Sequence, residues 1–150
     1  TELLKLARQT ELETGPAIKD ANVREHLADW YVETQGLKYT KFRTLTALSK
    51  GETPGPESSI GKIVSGPKMQ DLASFAMDLQ GQGGILQGDE DAEMNAAFQN
   101  QWMWGAGYRI AGGTDEILRN IVSEQVLGLP QDIRVDKKVP FNELPGSGRK

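Results

Sequence analysis

Apolar residues recur along this chain at three- and four-residue steps, the spacing of one face of an α-helix, and no segment alternates convincingly enough to argue a strand. Leu3, Leu4, Leu6, Ala7 and Leu12 outline a short first helix, closed where Thr14-Gly15-Pro16 breaks the pattern. From Asp20 to Ser49 the residues Val23, Leu27, Trp30, Tyr31, Leu37, Leu45 and Leu48 form one stripe. At 1.5 Å per residue this second helix spans on the order of 40 Å. An apolar stripe of that length needs cover from end to end, so the helix is expected to lie along bundle partners.

GETPGP, residues 51–56, turns the chain back. A third helix is predicted from Glu57 to Gln80 on Ile60, Ile63, Val64, Met69, Leu72, Phe75, Ala76 and Leu79. Pro67 sits inside it, where a proline deletes a backbone hydrogen bond at a cost near ~3 kcal/mol, so a kink is expected. Glycines and acids make 81–93 a loop. A fourth helix follows from about Asp91 to Trp104, with Met94, Ala97, Phe98 and Trp102 on one side. Gly105, Gly107, Gly112 and Gly113 then read as linker to a fifth helix, Thr114 to Leu127, with Ile117, Ile121 and Val122 as its buried stripe. Thr114 is its natural cap, Asp115 and Glu116 suit the positive end of the helix dipole, and Gly128 with Pro130 supplies the stop. The resulting fold class is all-α: an antiparallel, up-and-down four-helix bundle over residues 1–130, with a short N-terminal helix and an extended tail over 131–150. Val139, Pro140, Phe141 and Leu144 are the tail residues suited to docking on a neighbour.

Composition narrows the chemistry. With 150 residues, 37% hydrophobic and 25% charged, the chain can bury one core. Zero cysteines exclude disulfides, thiolate zinc and a cysteine nucleophile, and a single histidine leaves no metal cluster and no Ser-His-Asp triad. The net charge of -4 with scattered Lys and Arg argues against nucleic acid as a partner. No apolar run approaches the ~18 residues that cross a bilayer, so no membrane partner is expected and a soluble, cytoplasmic protein is.

One segment carries more than periodicity. A glycine pair before a capped helix lets a ligand approach the backbone and presents free N–H groups to it, which suits an anion; a plain tight turn explains the same residues. Asp115 and Glu116 weigh against a phosphate on that helix end. The whole run from Arg109 to Pro130, RIAGGTDEILRNIVSEQVLGLP, is similar nearly position by position to the last helix of the FAD-dependent acyl-CoA dehydrogenases. Its usual form there is Ile-x-x-Gly-Thr-x-Glu/Gln-Ile-x-Arg-Asn, ending in Leu-Gly-Leu-Pro. Ala21 to Tyr31 resembles that family's Leu-Ala-Asp-Met-Tyr-like helix, Ser58 to Lys62 its Ala-Ser-x-x-Lys entry, and Leu79 to Gly84 its Leu-Leu-Gly-Gly-x-Gly turn.

The resemblance implies the C-terminal bundle of a three-domain flavoenzyme that takes an α-proton from an acyl-CoA thioester with a glutamate and passes the β-hydride to FAD. It implies FAD contacts from Gly81, Gly83 and Gly84 and from Thr114 and Glu116, at an interface between subunits of a homo- or hetero-oligomer. Arg119 and Asn120 fall in interface or structural positions. Thr114 and Glu116 have plainer roles as cap and solvated acid.

Three departures matter. Many family members carry the catalytic glutamate where this chain has Gly112, so the location of a base is unknown here. Members with glycine at that position often place the base on an earlier helix, and others are non-catalytic subunits. Glu11 to Gly15 replaces the family's Arg-x-x-Phe-Gly pattern, and Asp78 stands where a flavin-contacting glutamine is common. Weaker candidates have plainer readings: His26 as a surface or capping residue, Trp102, Trp104 and Tyr108 as bundle core or interface, and Glu2, Glu11 and Glu13 as an exposed charged face. The preferred reading is a fragment, inactive alone, of an acyl-CoA dehydrogenase; the alternatives are a non-catalytic partner subunit and a helical module without flavin.

Overall fold

A computed structural model describes residues 2–88, 90–131, 133 and 139–144. Helix α1, Glu2–Gln9, buries Leu3, Leu6 and Ala7 on one face. The turn expected around Gly15 is a minimal hairpin, in which β1 (Glu11–Leu12) pairs antiparallel with β2 (Gly15–Pro16). These two-residue strands are too short to show as alternation. Asp20 then starts the long helix α2, Ala21–Ser49, where its Oδ1 accepts from the N–H groups of Asn22 at 2.9 Å and Val23 at 3.1 Å.

Helix α3, Ser59–Leu79, is the centre of the fold and touches α1, α2 and the two later helices. It runs uninterrupted through Pro67. Packing on both sides of the proline outweighs the lost bond: Gly66 is buried against Arg109, and the ammonium of Lys68 donates to the Trp30 carbonyl and, at 2.7 Å, to the Thr34 hydroxyl. Residues Gly81–Ile85 form a 3-10 turn, a shape more ordered than the expected open loop.

Helix α4 is Ala97–Ile110, which moves both predicted ends toward the C-terminus by about two turns. It begins late because Met94, Asn95 and Ala96 adopt left-handed backbone angles, with φ of 54°, 56° and 53°. It ends late because Gly105 and Gly107 lie inside it and are not linker. Gly105 is buried where a Cβ would strike the Gln70 side chain, so close approach to α3 offsets the ~1 kcal/mol a helical glycine costs. Trp102, expected on the buried side, is exposed, as is Ala97.

Helix α5, Asp115–Gln125, is shorter than predicted and buries Asp115 and Leu118, while Ile117 is exposed and Ile121 and Val122 are half-buried. Gly128, with φ 69°, stands beside the bonds from Leu127 N–H to Val122 O and from Leu129 N–H to Ser123 O that close its end.

The core joins Leu3, Leu6, Trp30, Ala76 and Phe98, with Leu27, Leu72, Phe75 and Met94 packed against it. Leu6 and Phe98 are 1% and 2% exposed, and burying each contributes roughly 2–3 kcal/mol. The indole N–H of Trp30 donates to Asp71 at 3.0 Å. Cover fails along the outer part of α2: Tyr39, Phe42, Leu45 and Leu48 are each about half exposed or more. The expectation of end-to-end cover therefore holds within this chain only for the half carrying Val23 and Trp30. No described helix is long and apolar enough to cross a membrane. Most of the expected tail lies outside the described residues; within it, a 3-10 turn spans Phe141–Glu143, Val139 and Pro140 are exposed, and Leu144 is half-buried.

Candidate functional site

The turn between α4 and α5 needs its glycines. Gly112 and Gly113 have φ of 65° and 105°, in the region where a side chain is strained. A Cβ on Gly112 would meet nothing within 4 Å, so the turn faces open space there. Thr114 follows as the cap of α5, its hydroxyl accepting from Ile117 N–H at 3.4 Å.

Helix α3 holds this turn from below at two points. The ammonium of Lys62 donates to the carbonyls of Ala111 and Gly113 and sits 5.7 Å from the Tyr108 ring centroid. Two helical turns further on, Gln70 accepts from Arg109 Nη1 at 2.9 Å. Arg109 Nε donates to Asp115 Oδ2 at 2.6 Å, an ion pair that bridges the two ends of the turn. Asp115 is buried to 4% side-chain exposure, and its Oδ1 has no hydrogen-bond partner. Gly66, midway between Lys62 and Gln70, leaves room for Arg109: a Cβ there would lie 3.0 Å from Arg109 Cγ. Lys62, Gly66 and Gln70 thus form one stripe of α3 at four-residue spacing.

Above this framework lies a cavity of about 310 Å³ lined by Gln70, Ala106, Arg109, Ile110, Thr114, Asp115 and Glu116. Its charged groups are one guanidinium and two carboxylates, so its lining is net acidic. Glu116 is held below the usual carboxylate range, first by its own backbone N–H and then by the Thr114 hydroxyl, with a smaller contribution from Arg119. Its carboxylate therefore occupies the electropositive start of α5 itself. The cavity suits ligand groups that donate hydrogen bonds, such as sugar hydroxyls, better than a second anion.

The other predicted contacts lie elsewhere. Gly84 is buried where a Cβ would strike the Met77 carbonyl, so its lack of a side chain is required by packing. Gly81 turns the chain with φ 58°, while Gly83 has open space around it. Gly84 meets α3 at Met77 and Asp115 meets it at Gly66, which puts the two glycine turns on the order of 16 Å apart along that helix. One chain does not bring them together.

The weaker candidates sort clearly. His26 lies inside α2 and is no cap; it is half-buried, stacking on Trp30 with ring centroids 5.3 Å apart and meeting Phe75 at 4.5 Å. Trp102, Trp104 and Tyr108 are exposed on α4, and Glu2, Glu11, Glu13, Asp78, Arg119 and Asn120 are exposed as well. The Arg109–Asp115–Gln70 network leaves little mark in the sequence. The six-position step from Arg109 to Asp115 matches no helical spacing, and only the glycine at 66 hints at what packs there.

Residues 1–127 match the family described as acyl-CoA dehydrogenase, C-terminal domain. The chain is 29% identical over 134 residues to the acyl-CoA dehydrogenase IpdE1 of Mycolicibacterium smegmatis, covering 89% of this chain and 31% of that protein. It is 32% identical over 81 residues to the acyl-CoA dehydrogenase FadE34 of Mycobacterium tuberculosis, covering 54% of this chain and 10% of that one. Its fold resembles a chain of the ChsE4-ChsE5 complex from Mycobacterium tuberculosis, with a TM-score of 0.74 and 22% identity over 87% of this chain and 34% of that one. The Tcur3481-Tcur3483 steroid ACAD gives a TM-score of 0.72 at 19% identity, over 87% of this chain and 33% of that one. The chain thus spans about a third of the length of IpdE1 and of both solved chains. The helical bundle and the match over residues 1–127 place this chain in the acyl-CoA dehydrogenase family, as a C-terminal domain.

Proposed function

We propose that this chain is the C-terminal part of an FAD-dependent enzyme that dehydrogenates an acyl-CoA thioester at its α and β carbons, and that alone it is inactive. The carrying observation is the family match over residues 1–127, from which the activity follows by kinship. The chain's share in that work is cofactor support and assembly. Thr114 and Glu116 supply a hydroxyl and an acceptor suited to the hydroxyl-bearing parts of a flavin nucleotide, while Gly81, Gly83 and Gly84 allow backbone approach at a second point. Bound flavin would supply the hydride acceptor. The acidic lining at Glu116 and the exposed Asp78 do not fit a pyrophosphate in the same chain. The separation of the two glycine turns supports a site completed by a second subunit. The half-exposed Tyr39, Phe42, Leu45 and Leu48 of α2 support the bundle as its oligomer surface, in a homo- or hetero-oligomer. We place the protein in the cytoplasm.

The test is direct. The full protein carrying this chain, expressed with its genetic neighbours, is expected to be yellow and to lose flavin absorbance on addition of an acyl-CoA. A colourless protein that leaves acyl-CoA thioesters unchanged overturns the proposal.

A second reading has its own observation. Gly112 stands where many family members carry the base, and this favours a non-catalytic subunit within a hetero-oligomer, in keeping with the fold likeness to the two-component ChsE4-ChsE5 and Tcur3481-Tcur3483 proteins. Turnover by this protein purified without a partner rules that reading out.

A further inference from the structure

We propose that Lys62 is a positioning residue, which sets the backbone of the Ala111–Thr114 turn so that two N–H groups face the open side. Its ammonium donates to the carbonyls of Ala111 and Gly113, on either side of Gly112. No peptide bond among the described residues is cis. In a trans peptide the N–H points opposite to the C=O, so drawing those two carbonyls toward α3 turns the N–H groups of Gly112 and Thr114 away from it. Among the described residues neither N–H has a hydrogen-bond acceptor, and the space over Gly112 is open. The pair therefore faces outward as two donors for one acceptor oxygen of a ligand.

The shape depends on the clamp because the two glycines alone do not fix it. Gly112 and Gly113 have the widest backbone freedom of any residue type, and ordering them is costly without an outside anchor. Lysine suits the task because one ammonium carries three donors. Two go to the carbonyls and the Tyr108 ring lies below; Tyr108 is itself tied to α3 through its hydroxyl and Ser65 at 3.4 Å. Arg109 and Asp115, held by Gln70, fix the two flanks but touch neither carbonyl. Lys62 is thus the one described side chain that donates to the carbonyls of the turn itself.

The consequence for ligand binding rests on the flavoenzyme reading above, whereas the clamp does not. The experiment uses the full protein carrying this chain, as K62M and K62R variants. Hydrogen–deuterium exchange of peptides covering 109–118 reports the turn without any ligand. K62M is expected to speed exchange there at least tenfold while peptides around Trp30 and Phe98 stay unchanged; K62R, which can still donate to two carbonyls, stays within about threefold of the unsubstituted protein. Titration with FAD is expected to give at least a tenfold weaker Kd for K62M and near-normal binding for K62R, at equal melting temperature of the flavin-free proteins. Unchanged exchange in K62M overturns the clamp, and unchanged flavin affinity despite faster exchange overturns its role in positioning. If the unsubstituted protein takes up no FAD, the flavoenzyme reading fails and the exchange arm alone decides Lys62.

Discussion

Replacing Arg109 by Met tests whether the ion pair across the turn is an energetic unit. The substitution keeps an unbranched stem against Gly66 and removes the guanidinium that serves Asp115 at 2.6 Å and Gln70 at 2.9 Å. Asp115 is then left buried at 4% exposure with no counter-charge, and its Oδ1 already lacks a partner. Removing one partner of a fully buried pair costs about 3–5 kcal/mol. Arg109 is 39% exposed, so water shares part of the load and the expected cost falls to about 2–4 kcal/mol. For a domain of this size that corresponds to a loss of about 4–16 °C in melting temperature. D115N alone removes the charge and leaves an amide beside the guanidinium, at about 1–3 kcal/mol. In the double variant R109M/D115N no charge is stranded, so its cost is expected to fall at least ~1 kcal/mol short of the sum of the singles. Urea and thermal unfolding of the 150-residue chain, followed by circular dichroism and by the fluorescence of buried Trp30, measure all four proteins. A cost below about 0.5 kcal/mol for R109M, or strict additivity, refutes the buried-pair account.

Other outcomes follow from the same geometry. G84A is expected to cost about 1–3 kcal/mol because its Cβ meets the Met77 carbonyl, whereas G83A, in open space, stays within ~0.5 kcal/mol and affects at most ligand binding; paired unfolding curves separate them. Because the folded-state pKa of Glu116 lies below its ordinary 4.5, the stability it contributes is present above about pH 4.5 and is lost as pH falls through the lower, folded value. E116Q should therefore flatten the acid limb of stability against pH, and an identical limb in both proteins contradicts the assignment. F98A is expected to cost about 3–5 kcal/mol from the 2% exposed core, and W104A, from a 76% exposed site, under ~0.5 kcal/mol by the same denaturation assay.

Helix positions were legible wherever the buried face is apolar. Val23, Leu27 and Trp30 spell out the covered half of α2, and the Asp20 and Thr114 caps mark two starts to within a residue. Legibility failed on α4, where the face toward α3 carries Phe98, Gln101, Gly105 and Arg109 at helical spacing. Only the first of these is hydrophobic. Gln101 instead donates to the Met69 carbonyl at 3.0 Å, and Gly105 is there because nothing larger fits beside Gln70. An interface built from small and polar residues leaves no hydrophobic stripe, and the most conspicuous apolar residue of the segment, Trp102, is on the exposed face. The left-handed run at Met94–Ala96 left no mark either, because none of its residues is glycine. At the site, Thr114 and the glycine pair could be read from type and order. The ion pair and the Lys62 clamp could not, since both join residues that meet only after α3 packs on the turn.

The chemistry open to the turn can be argued from its ionisable groups. Asp115 is committed to Arg109 through its Oδ2, and the guanidinium beside it disfavours its taking a substrate proton. Glu116 is exposed and already accepts from its own N–H and the Thr114 hydroxyl, which lower its pKa. A general base works best with a pKa near the working pH, reached for a carboxylate by desolvation; every dominant influence on Glu116 acts the other way. With Gly112 unable to accept a proton, neither acid of the turn suits α-proton removal from a thioester. If the full protein turns over an acyl-CoA, its base therefore comes from a segment outside this turn. E116Q would then weaken flavin retention while the pH dependence of turnover near neutrality keeps its position. A neutral-range limb that disappears in E116Q would instead make Glu116 the base and refute the electrostatic reading of the turn.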